Sequence, residues 1–175
     1  MGPVNVVLIG MPGSGKSTVG VLLAKRLGLG FTDTDLVIQQ ETGQTLQTIV
    51  DTQGYAALRD VEARVLQTLD VQGHVISTGG SAVYSEAAMA HLSARGIVVF
   101  LNIPLDEVER RIGDYSLRGI SRHPDQSLDD LFQERFALYK RYSQITVEAA
   151  GYTPEQVCSD VAAQLAKQTH FSPVQ

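Results

Sequence analysis

The 175-residue chain has one cysteine, Cys158, and no tryptophan. A single thiol forms neither an intrachain disulfide nor a thiolate metal cluster, which fits a reducing compartment. The four histidines, His74, His91, His123 and His170, are scattered and show no metal-ligand spacing. No apolar run approaches the roughly 20 residues that a membrane span needs. The N-terminus lacks a basic stretch followed by an apolar segment and a cleavage site. The expectation is a cytoplasmic protein, taken by default as a monomer. Positive charge is also short: 14 Lys+Arg stand against 19 Asp+Glu, a formal net charge of −5. Nucleic-acid binding by bulk charge needs a basic face that displaces phosphate counterions. That class is disfavoured, while a local basic cleft stays allowed. What remains is 43% hydrophobic and 19% charged, the composition of one globular domain that buries its own core.

Short apolar runs alternate with helical patterns. Strands are expected at residues 5–9, 30–34, 74–78, 96–103 and 144–148. Helices are expected at 18–27, 36–41, 45–69 with a break near Gly54, 85–94 behind Ser85, 105–112, 127–142 and 153–167. Pro104 stands at the favoured first-turn position of its helix and Pro154 at the start of the last one. Residues 113–126 read as a polar loop and 170–175 as a frayed tail. Alternating strands and helices predict an α/β fold, a parallel sheet with helices on both faces.

Gly10-Met11-Pro12-Gly13-Ser14-Gly15-Lys16-Ser17 matches G-x-x-x-x-G-K-[ST], between an expected strand and an expected helix. Glycines permit positive φ and close backbone approach, so successive N–H groups point at an anion. The following helix, which takes in Thr18, adds its N-terminal partial charge. Lys16 would reach the β- and γ-phosphates of ATP, and the Ser17 hydroxyl would bind Mg²⁺. The motif implies nucleotide binding without saying where a phosphate goes.

Two carboxylates follow the second strand, Asp33 and Asp35. Separated by one residue, they would share a side of an extended chain. One would hold a metal-bound water; the other would orient a hydroxyl and accept its proton. Helix capping is the plainer alternative.

The order GMPGSGKS, Asp33-Thr34-Asp35, Leu58-Arg59-Asp60-Val61-Glu62 and Gly79-Gly80 resembles the shikimate kinase family over about residues 5–166. The resemblance implies a P-loop, nucleoside-monophosphate-kinase-like fold with a five-stranded parallel sheet flanked by helices. It also implies a small substrate-binding subdomain near 33–62 and a mobile lid near 113–126. It implies transfer of the γ-phosphoryl of ATP to the 3-hydroxyl of shikimate, with Mg²⁺. By the same resemblance Asp35 is the substrate-binding carboxylate and base, and Asp33 supports Mg²⁺. Arg59 and Arg135 take the substrate carboxylate, Glu62 orients Arg59, Arg111 stacks on adenine, and Arg118 is the lid arginine. Gly13, Ser14, Gly15 and Gly79 with Gly80 line the nucleotide and substrate walls. The chemistry of the residues agrees: a planar guanidinium grips a carboxylate through two parallel hydrogen bonds, which lysine does not.

Several positions depart from the family pattern. Leu58 stands for Phe, and Ala137 for the Pro of R-x-P-L-Y. Ser81 replaces a third glycine; it would be strained at positive φ, or would offer a new hydrogen bond to a different substrate. The lid reads Arg118-Gly119-Ile120-Ser121-Arg122 instead of R-P-L-L. Substrate identity is therefore the open point. The alternatives are a kinase of the same fold acting on another polyhydroxy carboxylate such as gluconate, and a non-catalytic nucleotide-binding module. Cys158 reads as core rather than nucleophile.

Overall fold

The computed structural model describes residues 4–113, 122–169 and 171. Five parallel strands form one sheet in the order β2-β3-β1-β4-β5. They are β1 (Asn5–Ile9), β2 (Gly30–Asp33), β3 (His74–Ser77), β4 (Gly96–Asn102) and β5 (Ile145–Glu148). The central strand β1 is buried at every position, with Val7 opposite Ile76 on one side and Val98 on the other. Its unbroken apolar run is what a strand covered on both faces requires. Ligands of open parallel sheets lie beyond the carboxyl ends of the strands. Here that edge carries the glycine loop after β1, Asp33 at the end of β2 and the glycine pair after β3.

The helices are α1 (Lys16–Leu27), α2 (Thr34–Thr42), α3 (Leu46–Gln53), α4 (Tyr55–Thr68), α5 (Glu86–Arg95), α6 (Leu105–Ile112), α7 (Leu128–Tyr142) and α8 (Pro154–Ala166). Helix α1 begins at Lys16, two residues before the expected start. Gly15 makes the left-handed turn at φ 93°, so its successor is already helical. The pattern at 45–69 divides at Gly54 into α3 and α4, as expected. Ser85 caps α5 through Ala88 N–H; Ser127 and Thr153 open α7 and α8 with capping boxes. Pro104 is the N-cap of α6, one residue outside the expected first turn, because its backbone is still extended at ψ 161°.

Two apolar clusters form. The larger joins the sheet to α1, α5, α7 and α8, and includes Phe100, whose ring lies 5.0 Å from that of Tyr139 at a tilt of 32°. The smaller, Ile38, Ile49, Leu58 and Val65, belongs to α2, α3 and α4. Buried Cys158 sits in the larger one. The expected tail at 170–175 differs at Phe171, which packs on this core. Most of the expected lid, with Asp114, Tyr115, Arg118, Gly119, Ile120 and Ser121, lies outside the described residues. Among the described residues, no helix is long and apolar enough to cross a membrane.

Candidate active site

The glycine loop is held by its own lysine. Gly13 and Gly15 have φ of 79° and 93°, so the loop turns its backbone in a way residues with a Cβ rarely adopt. Lys16 Nζ donates to the Gly10 and Met11 carbonyls at 2.8 and 2.9 Å and to Ser14 Oγ at 3.4 Å. Burial lowers its pKa to about 8, opposed chiefly by the nearby Asp35 charge. Arg111 braces the loop from α6: its Nη1 donates to the Gly13 carbonyl at 2.9 Å, and its Nε donates to Glu107 at 2.7 Å. The hydrogen bonds from Arg110 and Arg111 hold Glu107 far below the usual carboxylate range.

Asp33 divides its oxygens between two tasks. Oδ1 accepts from the Asp35 N–H at 2.9 Å and caps α2. Oδ2 accepts from Ser17 Oγ at 2.8 Å, while Ser17 Oγ also lies 3.2 Å from Ser77 Oγ. Capping and a position beside Ser17 therefore hold together. The expected extended geometry does not: the chain turns helical at Thr34, so Asp35 projects from the first turn of α2. Its Oδ1 is buried without a hydrogen-bond partner among the described residues. Burial raises the Asp35 pKa, the Asp33 charge adds to the rise, and Lys16 opposes it.

Glu62 faces Asp35 from α4. It is 2% exposed, and burial pushes its pKa up to about 7. Ser81 Oγ donates to Glu62 Oε2, leaving Oε1 buried without a partner. Oε1 and Asp35 Oδ1 both converge on Gly79, where a Cβ would come within 2.6 Å of the first and 3.1 Å of the second. Two acceptors beside one glycine form a surface suited to hydroxyl donors. Ser81 has φ −96°, within ordinary range, so the strain that a positive φ would bring does not arise. Its hydroxyl is spent on Glu62 instead of being offered to a different substrate.

Arg135, on α7, is 1% exposed, and a Cβ on Gly80 would come within 2.7 Å of its Nη1. Tyr139, one turn later, donates to the Gly80 carbonyl at 2.6 Å and ties α7 to the glycine wall. Arg59 takes a different place. Its Cζ lies 3.8 Å over the Tyr84 ring and 5.2 Å from the Tyr55 ring, in a groove that shares Ser81 with the main cavity.

The main cavity has a volume of about 370 Å³. It is lined by Gly13, Gly15, Lys16, Ser17 and Thr18 from the loop and by Asp35, Glu62, Gly79, Gly80, Ser81 and Arg135 from the elements around it. Of the residues expected from sequence, Ser14, Asp33 and Arg111 support this wall from outside, and Arg59 lies in the adjoining groove. Arg118 falls outside the described residues. Leu58 lines the cavity as its apolar floor in place of phenylalanine. Sequence reasoning missed Tyr84, Ser77 and the bracing role of Tyr139. Only Tyr139 carried a signal, as the last residue of the Arg135 motif. Among the described residues, no group of three or more His, Cys, Asp or Glu is placed to hold a metal. The Ser17 hydroxyl and Asp33 carboxylate are a sparse, hard oxygen pair. That suits Mg²⁺, which keeps waters and phosphate oxygens and takes one or two protein carboxylates.

Comparison with known proteins agrees with this geometry. The family described as "Shikimate kinase" matches residues 12–166. A shikimate kinase of Haemophilus influenzae is 38% identical over 147 residues, 82% of each chain. One from Mycobacterium avium is 39% identical over 164 residues, covering 92% of this chain and 93% of its own. The fold superposes on Acinetobacter baumannii shikimate kinase in complex with shikimate with a TM-score of 0.87, at 30% identity over 96% of both chains.

Proposed function

The chain belongs to the shikimate kinase family, and from that premise we infer that it transfers the γ-phosphoryl group of ATP, with Mg²⁺, to the 3-hydroxyl of shikimate. The observation that carries this reading is the convergence of Lys16, Asp35 and Arg135 on one cavity of about 370 Å³. A phosphate anchor, a proton acceptor and a carboxylate fork then stand in sequence along it. Phosphoryl transfer asks for placement and fixed charge rather than a covalent intermediate.

The loop from Gly13 to Thr18 holds the nucleotide phosphates, with Lys16 on the β- and γ-groups. Ser17 and Asp33 would hold Mg²⁺, which when bound would neutralise charge on the phosphate oxygens. Arg135 and Arg59 take the acceptor's carboxylate, and the Gly79-Gly80-Ser81 wall admits its ring. Asp35 Oδ1 accepts the hydroxyl hydrogen and then the proton; its raised pKa makes it a stronger acceptor near neutral pH. Arg111 borders the nucleotide end, and Arg118 is assigned to charge on the transferring group. Residues 33–62 serve as the acceptor-binding subdomain, a role supported by their part in the separate small core, and 113–126 as the lid. The Ser81 hydroxyl acts through Glu62, which weakens one of the two sequence-based reasons to look for gluconate or another polyhydroxy acid; the other, the lid, lies outside the described residues. The protein is taken to act as a cytoplasmic monomer: the described residues of the proposed site need no second copy to line the cavity, and one cysteine needs no oxidising compartment.

The test is Asp35→Asn. It should lower kcat by about 10²–10⁴-fold, the range of general-base loss, with ATP affinity held within about twofold by the untouched loop. Undiminished turnover removes Asp35 as base.

A further inference from the structure

Tyr84 belongs to none of the motifs, yet it touches both guanidinium groups assigned to the acceptor's carboxylate. We propose that Tyr84 is a specificity-determining positioning residue that presents Arg59 and Arg135 to the acceptor as one carboxylate-binding unit. The inference rests on the assignment of that carboxylate to the two arginines.

Tyr84 closes a short 3₁₀ turn, Ala82–Tyr84, directly after the glycine wall. Ala82 and Val83 are 2% and 1% exposed, so the turn is anchored in the core and the tyrosine has a fixed base. Its ring lies under Arg59, with Cζ 3.8 Å from the centroid. Stacking occupies the face of a guanidinium and leaves the in-plane N–H groups at its edge for an anion. The second stacking partner, Tyr55, is farther away at 5.2 Å.

The hydroxyl acts on the other arginine. It accepts from Arg135 Nε at 3.4 Å. With Nε turned toward Tyr84, the opposite end of the fork, Nη1, is the end beside Gly80 in the main cavity. A hydrogen bond at Nε favours one rotational setting of the guanidinium, so Tyr84 contributes to which donors face the acceptor. The ring thus serves chiefly Arg59, with Arg135 Cζ farther away at 5.5 Å from its centroid, and the hydroxyl serves Arg135; Ser81 lines both the cavity and the groove. A purely structural tyrosine would show the same burial, but its loss would not act through Arg59.

Steady-state kinetics of the wild type, Tyr84→Phe and Tyr84→Leu decide the matter, with Tyr84→Leu repeated in an Arg59→Ala background. Tyr84→Phe keeps the ring and should raise the KM for shikimate about two- to fivefold, as a lost hydrogen bond does. Tyr84→Leu loses both contacts and should raise it about tenfold or more. In both, kcat and the KM for ATP should stay within about twofold. In the Arg59→Ala background, Tyr84→Leu should add less than its effect alone. Unchanged KM for shikimate in both variants overturns the proposal, as does full additivity with Arg59→Ala. Should the wild type fail to phosphorylate shikimate, the proposed function falls and this inference falls with it. Wild-type turnover with an unmoved KM overturns this inference alone.

Discussion

Ser81 donates its hydroxyl hydrogen to Glu62 inside the cavity wall, and the two residues are 8% and 2% exposed. The bond joins the end of the β3 loop to α4 and aims the second Glu62 oxygen at Gly79 and Asp35. A departure from the glycine-rich pattern thus settles the orientation of a buried acid.

Ser81→Gly should remove the partner of Glu62 Oε2 and leave a buried acceptor unsatisfied. Such a loss costs about 1–3 kcal/mol. At roughly 2–4 °C per kcal/mol for a chain of this size, Tm should fall by several degrees. Thermal unfolding at neutral pH measures it; an unchanged Tm would show that the bond contributes nothing.

Glu62 should also make stability depend on pH. Its folded pKa is pushed by burial to about 7, above the ordinary value of 4.5. The folded state then binds the proton more tightly than the unfolded state between those values, so stability falls as pH rises from about 4.5 through 7. Glu62→Gln removes that slope, worth at most about 3 kcal/mol at 1.36 kcal/mol per unit. Lys16, with its pKa lowered to about 8 from 10.5, acts in a separate window and favours folding as pH rises from 8 to 10.5. Melting curves of wild type and Glu62→Gln between pH 5 and 8 should therefore diverge in the variant's favour as pH rises. Parallel curves contradict the buried acid.

Gly80→Ala places a methyl group 2.7 Å from Arg135 Nη1 and 3.0 Å from Pro12 Cδ. Arg135 has little room to yield, since it is 1% exposed on α7. The KM for shikimate should rise about tenfold or more, because a displaced fork loses uniform binding of the acceptor. ATP affinity, set by the loop, should change little. Equal effects on both substrates would place the damage in the loop instead.

Asp33→Asn should weaken the dependence on Mg²⁺ rather than the fold. The amide oxygen can still cap α2, while the amide NH2 takes the place of the oxygen that accepts from Ser17 and can donate to its hydroxyl instead, so stability should fall by no more than about 1 kcal/mol. The Mg²⁺ concentration for half-maximal rate should rise several-fold, since the ion loses a formal negative charge in its surroundings. A Mg²⁺ titration of activity is the measurement, and an unmoved midpoint takes Asp33 out of the metal's environment.

Much of this site is written locally. The loop from Gly10 to Ser17 is read directly because its chemistry depends on glycines at fixed offsets from one lysine. The break at Gly54 and the caps at Ser85, Ser127 and Thr153 are likewise set by neighbours in the chain. Asp33 and Asp35 were legible as residues but not as geometry: the cap formed by Asp33 turns the backbone at Thr34 and separates the two carboxylates. Ser81 was legible as an anomaly only, since its partner Glu62 is 19 residues away on another element. Tyr84 left no signal at all. Its role arises where a 3₁₀ turn, α4 and α7 meet, and no spacing along the chain encodes that meeting.

The most direct measurement is ADP release by the wild-type protein with MgATP and a panel of acceptors: shikimate, gluconate, other hydroxy acids, nucleoside monophosphates and water alone. The account predicts release that depends on shikimate, with the phosphate on its 3-hydroxyl by phosphorus NMR and little release with the rest. Release independent of shikimate, or faster with another acceptor, would contradict it.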